Sequence, residues 1–140
     1  MQDVTLRNSA YWTQDYEKCN GVIVRGVKVY SHANWNNDGL DIDSRNVVVS
    51  DCYIDCDDDA LCLKSDTDTP CENVTVTNCV LKSNCNAIKF GTSSYSGFKN
   101  VTISNCTIDR ASEDHIRQWY KNYPWIGTKH KTVVAGIALE

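Results

Sequence analysis

Apolar and polar residues alternate in short stretches along the chain, and these stretches recur at nearly constant spacing. Three of them align with a period of 27 residues: 46–52 (Asn-Val-Val-Val-Ser-Asp-Cys), 73–79 (Asn-Val-Thr-Val-Thr-Asn-Cys) and 100–106 (Asn-Val-Thr-Ile-Ser-Asn-Cys). An earlier copy begins at Gly21, and residues 3–9 (Asp-Val-Thr-Leu-Arg-Asn-Ser) match it faintly. Alternation with period two predicts strands, and regular repetition at this length predicts a solenoid whose units bury their faces against one another.

A second series of alternating stretches runs in step with the first. It consists of residues 39–44 (Gly-Leu-Asp-Ile-Asp-Ser), 60–65 (Ala-Leu-Cys-Leu-Lys-Ser) and 87–92 (Ala-Ile-Lys-Phe-Gly-Thr). Because side chains alternate across a strand, one set should point inward: Leu40, Ile42, Leu61, Leu63, Ile88 and Phe90. The other set should point out onto one sheet face: Asp41, Asp43, Cys62, Lys64 and Lys89.

These repeats predict an all-β fold, a right-handed parallel β-helix that forms one domain over residues 1–140, with about 21 to 27 residues in each coil. A leucine-rich repeat allows similar periods, but the units here are rich in Val, Thr, Ile, Ser and Asn. Residues 110–134 break the rhythm and are interpreted as a rim loop insertion, after which a strand resumes near 136–139. Solenoids need polar caps, so we expect that coils are missing at both ends.

Composition excludes several kinds of partner. The chain is 41% hydrophobic and 23% charged with a net charge of -4, which favours neither disorder nor a nucleic-acid surface. No apolar run approaches the ~20 residues of a membrane span, and no signal peptide is apparent at the start. The eight cysteines contain no Cys-x-x-Cys pair, and the 27-residue spacing of Cys52, Cys79 and Cys106 indicates buried stacking. We expect no metal, no cofactor, no nucleic acid and no membrane.

Carboxylates gather at the start of the second series of strands. Residues 36–39 read Asn-Asn-Asp-Gly, and residues 57–60, one coil later, read Asp-Asp-Asp-Ala. Stacked parallel strands lie ~4.8 Å apart, so Asp38 and Asp59 should be neighbours and should raise at least one carboxyl pKa. A proton donor beside an ionised base is the pair that glycosidic hydrolysis needs. The alternatives are a solvated or calcium-attracting acidic turn at 57–59 and ordinary positive-φ turn chemistry at 36–39.

The two motifs resemble those of polygalacturonase-like glycoside hydrolases of family 28. Members of that family carry Asn-Thr-Asp-Gly at the start of one strand and Gly-Asp-Asp at the next, close to what residues 36–39 and 57–59 show. The resemblance covers residues 3–109 and 135–140. It implies that Asp58 is the general acid, that Asp38 and Asp59 hold and deprotonate the attacking water, and that the anomeric carbon is inverted.

The resemblance also indicates where the substrate lies. The Gly-His-Gly motif of the family falls at residues 85–87, so Asn86 replaces the histidine, and the Arg-Ile-Lys motif falls at 138–140, where Glu140 would repel a sugar carboxylate. These changes favour a pectic side chain or a rhamnogalacturonan over polygalacturonate. The expected substrate contacts are Asn36, Asn86, Lys89, Trp119, Tyr120 and Trp125, with Tyr123 beside them. The aromatic residues could instead pack the rim loop, and Lys89 could pair with Asp41 or Asp43.

Three functions stay open from the sequence. The first is an inverting hydrolase of a pectin-type polysaccharide, which the resemblance makes a secreted or periplasmic protein and which we expect to be monomeric at full length. The second is a non-catalytic carbohydrate-binding solenoid or an inactive fragment. The third is a lyase with calcium on Asp55, Asp57, Asp58 and Asp59. We assign no role to His32, His115 and His130, which lie outside the aligned strand edges and are expected at the surface.

Overall fold

The computed structural model describes residues 1–113 and 135–140, and all of its elements there are strands. They are β1 (Thr5–Arg7), β2 (Asp15–Arg25), β3 (Lys28–Ser31), β4 (Leu40–Ser50), β5 (Tyr53–Cys56), β6 (Leu61–Ser65), β7 (Cys71–Thr77), β8 (Val80–Ser83), β9 (Asn86–Ser94), β10 (Phe98–Ser104), β11 (Thr107–Arg110) and β12 (Ala135–Leu139). Every strand pair is parallel, and the strands form a β-solenoid of about four turns with about 27 residues each. The predicted parallel β-helix architecture is confirmed.

Each coil contributes strands to three faces of the solenoid. One face is a five-stranded sheet in the order β1-β3-β5-β8-β11. The remaining strands form a larger sheet that bends within β4, since Leu40 to Ile42 pair with β6 whereas Arg45 to Ser50 pair with β7. The part of this sheet made by β6, β9, β12 and the first halves of β2 and β4 is called the groove sheet here.

The register agrees with the two predicted repeats. Val47 lies beside Val74, and Val74 beside Val101, so residues 27 positions apart are direct neighbours. In the groove sheet Leu40 lies beside Leu61, and Leu61 beside Ile88. The inward residues form one continuous core, which includes Leu40, Ile42, Leu61, Leu63 and Ile88, with Phe90 packed against it.

The faint repeat proposed for residues 3–9 was aligned with the wrong strand. Thr5, Leu6 and Arg7 pair with Lys28, Val29 and Tyr30, so this stretch belongs to the five-stranded sheet. It is therefore equivalent to β3 rather than to the strand that begins at Gly21. The error arose because both kinds of strand alternate and both follow a residue with positive φ, as Asp3 and Gly21 do.

Left-handed residues occupy the corners of the coils in two columns. One column is Gly21, Asn46, Asn73 and Asn100, and the other is Asp3, Gly26, Asp51, Asn78 and Asn105. Asparagine tolerates this conformation better than other residues that carry a side chain. The side chains also form ladders along the solenoid, since the Asn73 amide donates to Asn46 Oδ1 at 3.0 Å and the Asn100 amide donates to Asn73 Oδ1 at 3.0 Å. Each corner is thus stabilised by its own backbone geometry and by its neighbours.

The cysteines stack inside the solenoid without bridging, as the spacing predicted. All eight are free, and only Cys19 and Cys106 are partly exposed. The thiols of Cys52, Cys79 and Cys106 each donate to the carbonyl two residues earlier at 3.2 Å, so the same local contact repeats on three coils. Within residues 1–113 and 135–140 no helix of membrane-spanning length and hydrophobicity is found.

Candidate active site

The carboxylates meet where the strands of the groove sheet begin. The Gly39 amide donates to the Asp59 carbonyl at 2.8 Å, and the Ala60 amide donates to the Asn86 carbonyl at 3.0 Å, which brings three successive coils together. A Cβ at Gly39 would collide with the side chain of Ile54 and would lie 2.8 Å from the Ala60 carbonyl oxygen. Gly39 is therefore required for close approach rather than for a positive φ, and the left-handed residue of this turn is Asn36.

Burial and mutual repulsion raise the pKa of two of the three predicted catalytic carboxyls. Asp38 is 4% exposed, and its pKa rises to about 9 because of burial and then the nearby Asp41, Asp58 and Asp59. Burial, followed by Asp59, also raises the pKa of Asp58, which is only partly exposed. The Asp58 and Asp59 carboxyls lie within 4.8 Å of each other and of the Cys85 sulfur. Asp38 is thus neutral at neutral pH, and Asp58 is biased toward its protonated form.

Asp59 has contacts of a different kind. Its Oδ1 accepts the Asn86 side-chain amide at 2.7 Å and the Asn86 backbone amide at 3.2 Å. Its Oδ2 lies 3.4 Å from the ammonium of Lys89. Donors on both oxygens stabilise an ionised carboxylate, since a protonated carboxyl cannot accept on both in the same way. The site therefore places Asp59, which has donors near both oxygens, beside two carboxyl groups whose pKa values are raised.

Lys89, a predicted substrate contact, pairs with neither Asp41 nor Asp43, which were the partners in the alternative interpretation. Its ammonium lies 3.3 Å from Glu140 Oε2 as well as near Asp59. Burial opposes its charge, but Asp59 and Glu140 outweigh burial and raise the pKa of Lys89. This lysine is therefore already neutralised by two protein carboxylates.

A second lysine, which the sequence did not single out as functional, lies one coil earlier. Lys64 contacts Asp41 Oδ1 at 3.3 Å, and its ammonium lies 4.5 Å from the centre of the Trp12 ring. Asp41 belongs to the outward row of the groove sheet but is 0% exposed. Burial raises its pKa to about 7 even though Lys64 acts in the opposite direction. A connected group of side chains thus lies at the groove sheet near Asp38, in which Lys64 contacts both Asp41 and Trp12.

Comparison with known families supports the interpretation of this geometry. A family model described as glycosyl hydrolases family 28 matches residues 1–117. The chain belongs to glycosyl hydrolases family 28. No curated protein and no solved structure matches it. Family membership supports a pectin-type glycoside hydrolase in general, and the three carboxylates predicted to be catalytic, Asp38, Asp58 and Asp59, fall within the matched residues.

The predicted substrate contacts are found in different environments. Asn36 is exposed, and its amide donates to the Tyr11 hydroxyl at 3.3 Å. Asn86, which the sequence resemblance aligned with a histidine of the family, is 3% exposed, and its side-chain amide donates to Asp59 Oδ1 at 2.7 Å. Trp119, Tyr120, Tyr123 and Trp125 lie outside the described residues, as do His115 and His130 and most of the predicted rim loop.

The four aspartates of the proposed calcium site are not brought together. Asp55 accepts from Ser112 at 2.9 Å and pairs with His32 at 3.0 Å, and Asp57 accepts from Asn84 at 3.0 Å. Among the described residues, the group of possible metal-binding atoms within 4.8 Å of one another that contains Asp58 and Asp59 includes Cys85 but neither Asp55 nor Asp57. His32 is also buried, so its expected surface position was wrong. The contact between His32 and Asp55 helps to fix the buried side of the turn that precedes Asp57.

Proposed function

We propose that this family 28 protein hydrolyses a glycosidic bond of a pectin-type polysaccharide with inversion. The observation that supports this most directly is the difference in environment among the three carboxyl groups. Asp59 accepts donors on both oxygens, whereas burial and neighbouring carboxylates raise the pKa of Asp38 and Asp58. Inverting hydrolysis needs such an unequal set, with one proton donor and one ionised base.

Each carboxyl group then has one task. Asp58 is partly exposed and biased toward protonation, so it gives its proton to the leaving oxygen. Asp59 accepts the proton of the attacking water. Asp38, which is neutral and buried, donates a hydrogen bond to that water and fixes its position. The result is a direct displacement in which water attacks the anomeric carbon and the aglycone leaves with the Asp58 proton.

The charges around the site favour a substrate with few acidic groups. Lys89 is occupied by Asp59 and Glu140, so it offers little to a galacturonate carboxylate. We therefore place the cleaved bond in a pectic side chain or a rhamnogalacturonan rather than in polygalacturonate. The aromatic residues Trp119, Tyr120 and Trp125 are proposed as further sugar contacts. Family 28 proteins are generally extracellular, and we propose a secreted or periplasmic monomer with residues 1–140 in one domain and 110–134 as a rim loop.

The test is reducing-sugar release from a panel of pectic polysaccharides by the wild-type chain, Asp58→Asn and a matched control, Asp109→Asn. Asp109 is an exposed aspartate on β11, in the five-stranded sheet. We expect Asp58→Asn to lose about 100- to 10,000-fold in rate, the range of a general acid, and Asp109→Asn to be unchanged. Folding of each variant is checked by circular dichroism. The anomer released first, followed by proton NMR, reports inversion.

A binding solenoid is the second candidate, because Asn86 replaces the family histidine and Glu140 neutralises Lys89. Under that function all three folded proteins bind pectic glycans and none of them releases sugar. A chelator separates the lyase, since only metal-dependent elimination stops on metal removal and produces unsaturated sugars. Equal release by wild type and Asp58→Asn would contradict the assignment of Asp58.

A further inference from the structure

Exposed aromatic side chains stand beside the candidate active site on the side of the earlier coil. The rings of Tyr11 and Trp12 are 5.3 Å apart with a 32° angle between their planes, and Tyr11 is 54% exposed. Trp35, which is 56% exposed, lies between Asn34 and Asn36, and these two asparagines bond to Ser9 and Tyr11. Family membership and the carboxylate chemistry leave these residues without a role.

Hydrogen bonds connect this aromatic pair to Asp38. The Thr13 amide donates to the Asp38 carbonyl at 2.8 Å, so Trp12 is one residue from a direct backbone contact with the catalytic strand edge. The Asn36 amide joins Tyr11 to the turn that carries Asp38. The segment that carries Tyr11 and Trp12 is therefore attached directly to the turn that carries Asp38.

The charges beside the aromatic pair are mainly negative. Asp15 lies next to Asp41 in the groove sheet, and Glu17 lies next to Asp43, so acidic residues form two adjacent outward rows. Burial and the neighbouring Glu17 and Asp43 raise the pKa of Asp15 against the opposing effect of Lys64. Two lysines lie in this part of the described groove sheet, and each is paired with a carboxylate. Lys64 contacts Asp41 and the Trp12 ring, and Lys18 lies 3.3 Å from Glu17 Oε1.

We propose that Tyr11, Trp12 and Asp15 form a subsite for an uncharged sugar residue of the substrate chain, next to the bond that Asp58 protonates. This inference rests on the proposed glycan-cleaving function. It adds that the substrate has an uncharged sugar residue, rather than a uronate, next to the cleaved bond. Aromatic planes bind the apolar face of a pyranose, and carboxylates accept its hydroxyl groups. A uronate at the same place meets a like-charged surface with no available cation.

Binding is measured in the Asp58→Asn background, so that affinity is separated from cleavage. The probes are rhamnogalacturonan oligosaccharides, which alternate neutral and acidic sugars, and homogalacturonan oligosaccharides of equal length. We expect calorimetry to show tighter binding of the alternating probe, and Tyr11→Ala to weaken that binding about fivefold or more. Trp12→Phe keeps an aromatic ring over Lys64, so it should weaken binding of the alternating probe less than Trp12→Ala does.

Two further variants separate recognition from stability. Asp15→Asn removes one negative charge, so it should improve binding of homogalacturonan severalfold while leaving the alternating probe nearly unchanged. Tyr30→Ala disrupts a comparable aromatic pair, Tyr30 with Tyr53 at 5.6 Å, on the five-stranded sheet, and should leave both affinities unchanged.

The outcomes also separate this subsite from the proposed reaction. Unchanged affinity in folded Tyr11→Ala, equal affinity for the two probes, or no binding of either would overturn the subsite, even if the wild-type chain cleaves pectin. Binding that depends on Tyr11 and distinguishes the probes would support the subsite, even if the wild-type chain releases no sugar.

Discussion

Asn86 shows how one substitution changes the chemistry available at a family site. A histidine at this position can exchange a proton near neutral pH, whereas an amide cannot. Asn86 instead donates twice to Asp59, from its backbone and from its side chain. Asn86 therefore cannot itself exchange a proton near neutral pH, and we expect it to act by positioning Asp59.

Replacing Asn86 with alanine removes one of the two hydrogen bonds that this residue donates to the buried Asp59 carboxylate. We expect kcat to fall about 10- to 100-fold with little change in KM, because a lost hydrogen bond to a charged group costs ~1.5–3 kcal/mol. Asn86→His restores an N–H donor, so it should recover part of kcat and add a pH-dependent limb near neutrality. Steady-state kinetics measure both, with Thr75→Ala, at an exposed position of β7, as the unaffected control. A rise in KM alone in Asn86→Ala would contradict this role.

Asp38 links stability to pH through its raised pKa. The unfolded chain ionises this group near pH 3.8, whereas the folded chain retains the proton up to about pH 9. The stability contributed by the protonated form is fully present below about pH 4 and is lost as the pH rises toward 9. From about pH 5 to about pH 7 this group alone should lower the free energy of unfolding by about 3 kcal/mol.

Asp38→Asn carries the uncharged form permanently and should remove this part of the slope. Chemical denaturation at several pH values measures it, with Asp109→Asn as the exposed control. Asp41 and Asp58 also have raised pKa values and add a slope of the same sign, so the profile of Asp38→Asn flattens without becoming level. An unchanged slope would show that Asp38 is ionised in the folded protein.

The sequence motifs indicated the carboxylates but not their partners. The proximity of Asp38 and Asp59 follows from position, because equivalent places on successive coils must be neighbours, whereas Asp58 was indicated by the resemblance to the family. The contacts of Lys64 with Trp12, and of Lys89 with Asp59 and Glu140, depend on the directions of long side chains. Those directions are set by packing across coils that are far apart in sequence, which a repeat alignment does not specify.

At the level of elements, the corners of the coils determine the register of the strands. Asn73 adopts a φ of 55°, and its side chain bonds to Asn46 on one side and Asn100 on the other. Alanine at this position loses both ladder bonds and strains the backbone, whereas glycine loses the bonds but tolerates the conformation.

We therefore expect Asn73→Ala to destabilise the fold by about 1–2 kcal/mol and Asn73→Gly to be about 1 kcal/mol less damaging. Thermal and chemical unfolding measure the difference. Thr75→Ala, at an exposed position of β7, is the control and should stay within about 0.5 kcal/mol of wild type. Equal losses in the alanine and glycine variants would show that the ladder, rather than the left-handed turn, carries the effect.

The repetition of strands along the chain was easier to predict than the face of the solenoid to which each strand belongs. Val47, Val74 and Val101 fall at equal spacing and pair as expected, because one alternating pattern serves one face of the solenoid. Residues 3–9 were assigned to the wrong face because two faces share the same alternation and the same kind of corner residue. Only the hydrogen-bonded pairing of β1 with β3 separates them.

At the level of the whole molecule, the interior contains thiols rather than disulfides. All eight cysteines are free, six are buried, and Cys19 and Cys106 are partly exposed. A thiol reagent such as dithionitrobenzoate should therefore modify about two cysteines in the native protein and all eight after denaturation without reductant. Fewer than eight in the denatured protein would indicate disulfides, and rapid reaction of all eight in buffer would indicate an open interior.

The parallel β-helix architecture of the described residues followed from the sequence because its long-range contacts are periodic. In most folds a contact between distant residues leaves no regular trace along the chain, whereas here every coil repeats the same pairing. What periodicity could not supply was the non-repeating material beside the groove, such as the contact between Trp12 and Lys64. These side chains occur once, so no second copy indicated their position.

The spacing between adjacent rungs is unequal, and this has an evolutionary consequence. Leu40 and Leu61 are 21 residues apart and Leu61 and Ile88 are 27 apart, yet each pair is in direct register. Chain length between rungs is therefore free to change while the strand edge that presents the carboxyls stays fixed. A lineage built on this scaffold can acquire or delete surface segments and shift its preferred glycan in small steps, with its reaction chemistry inherited intact.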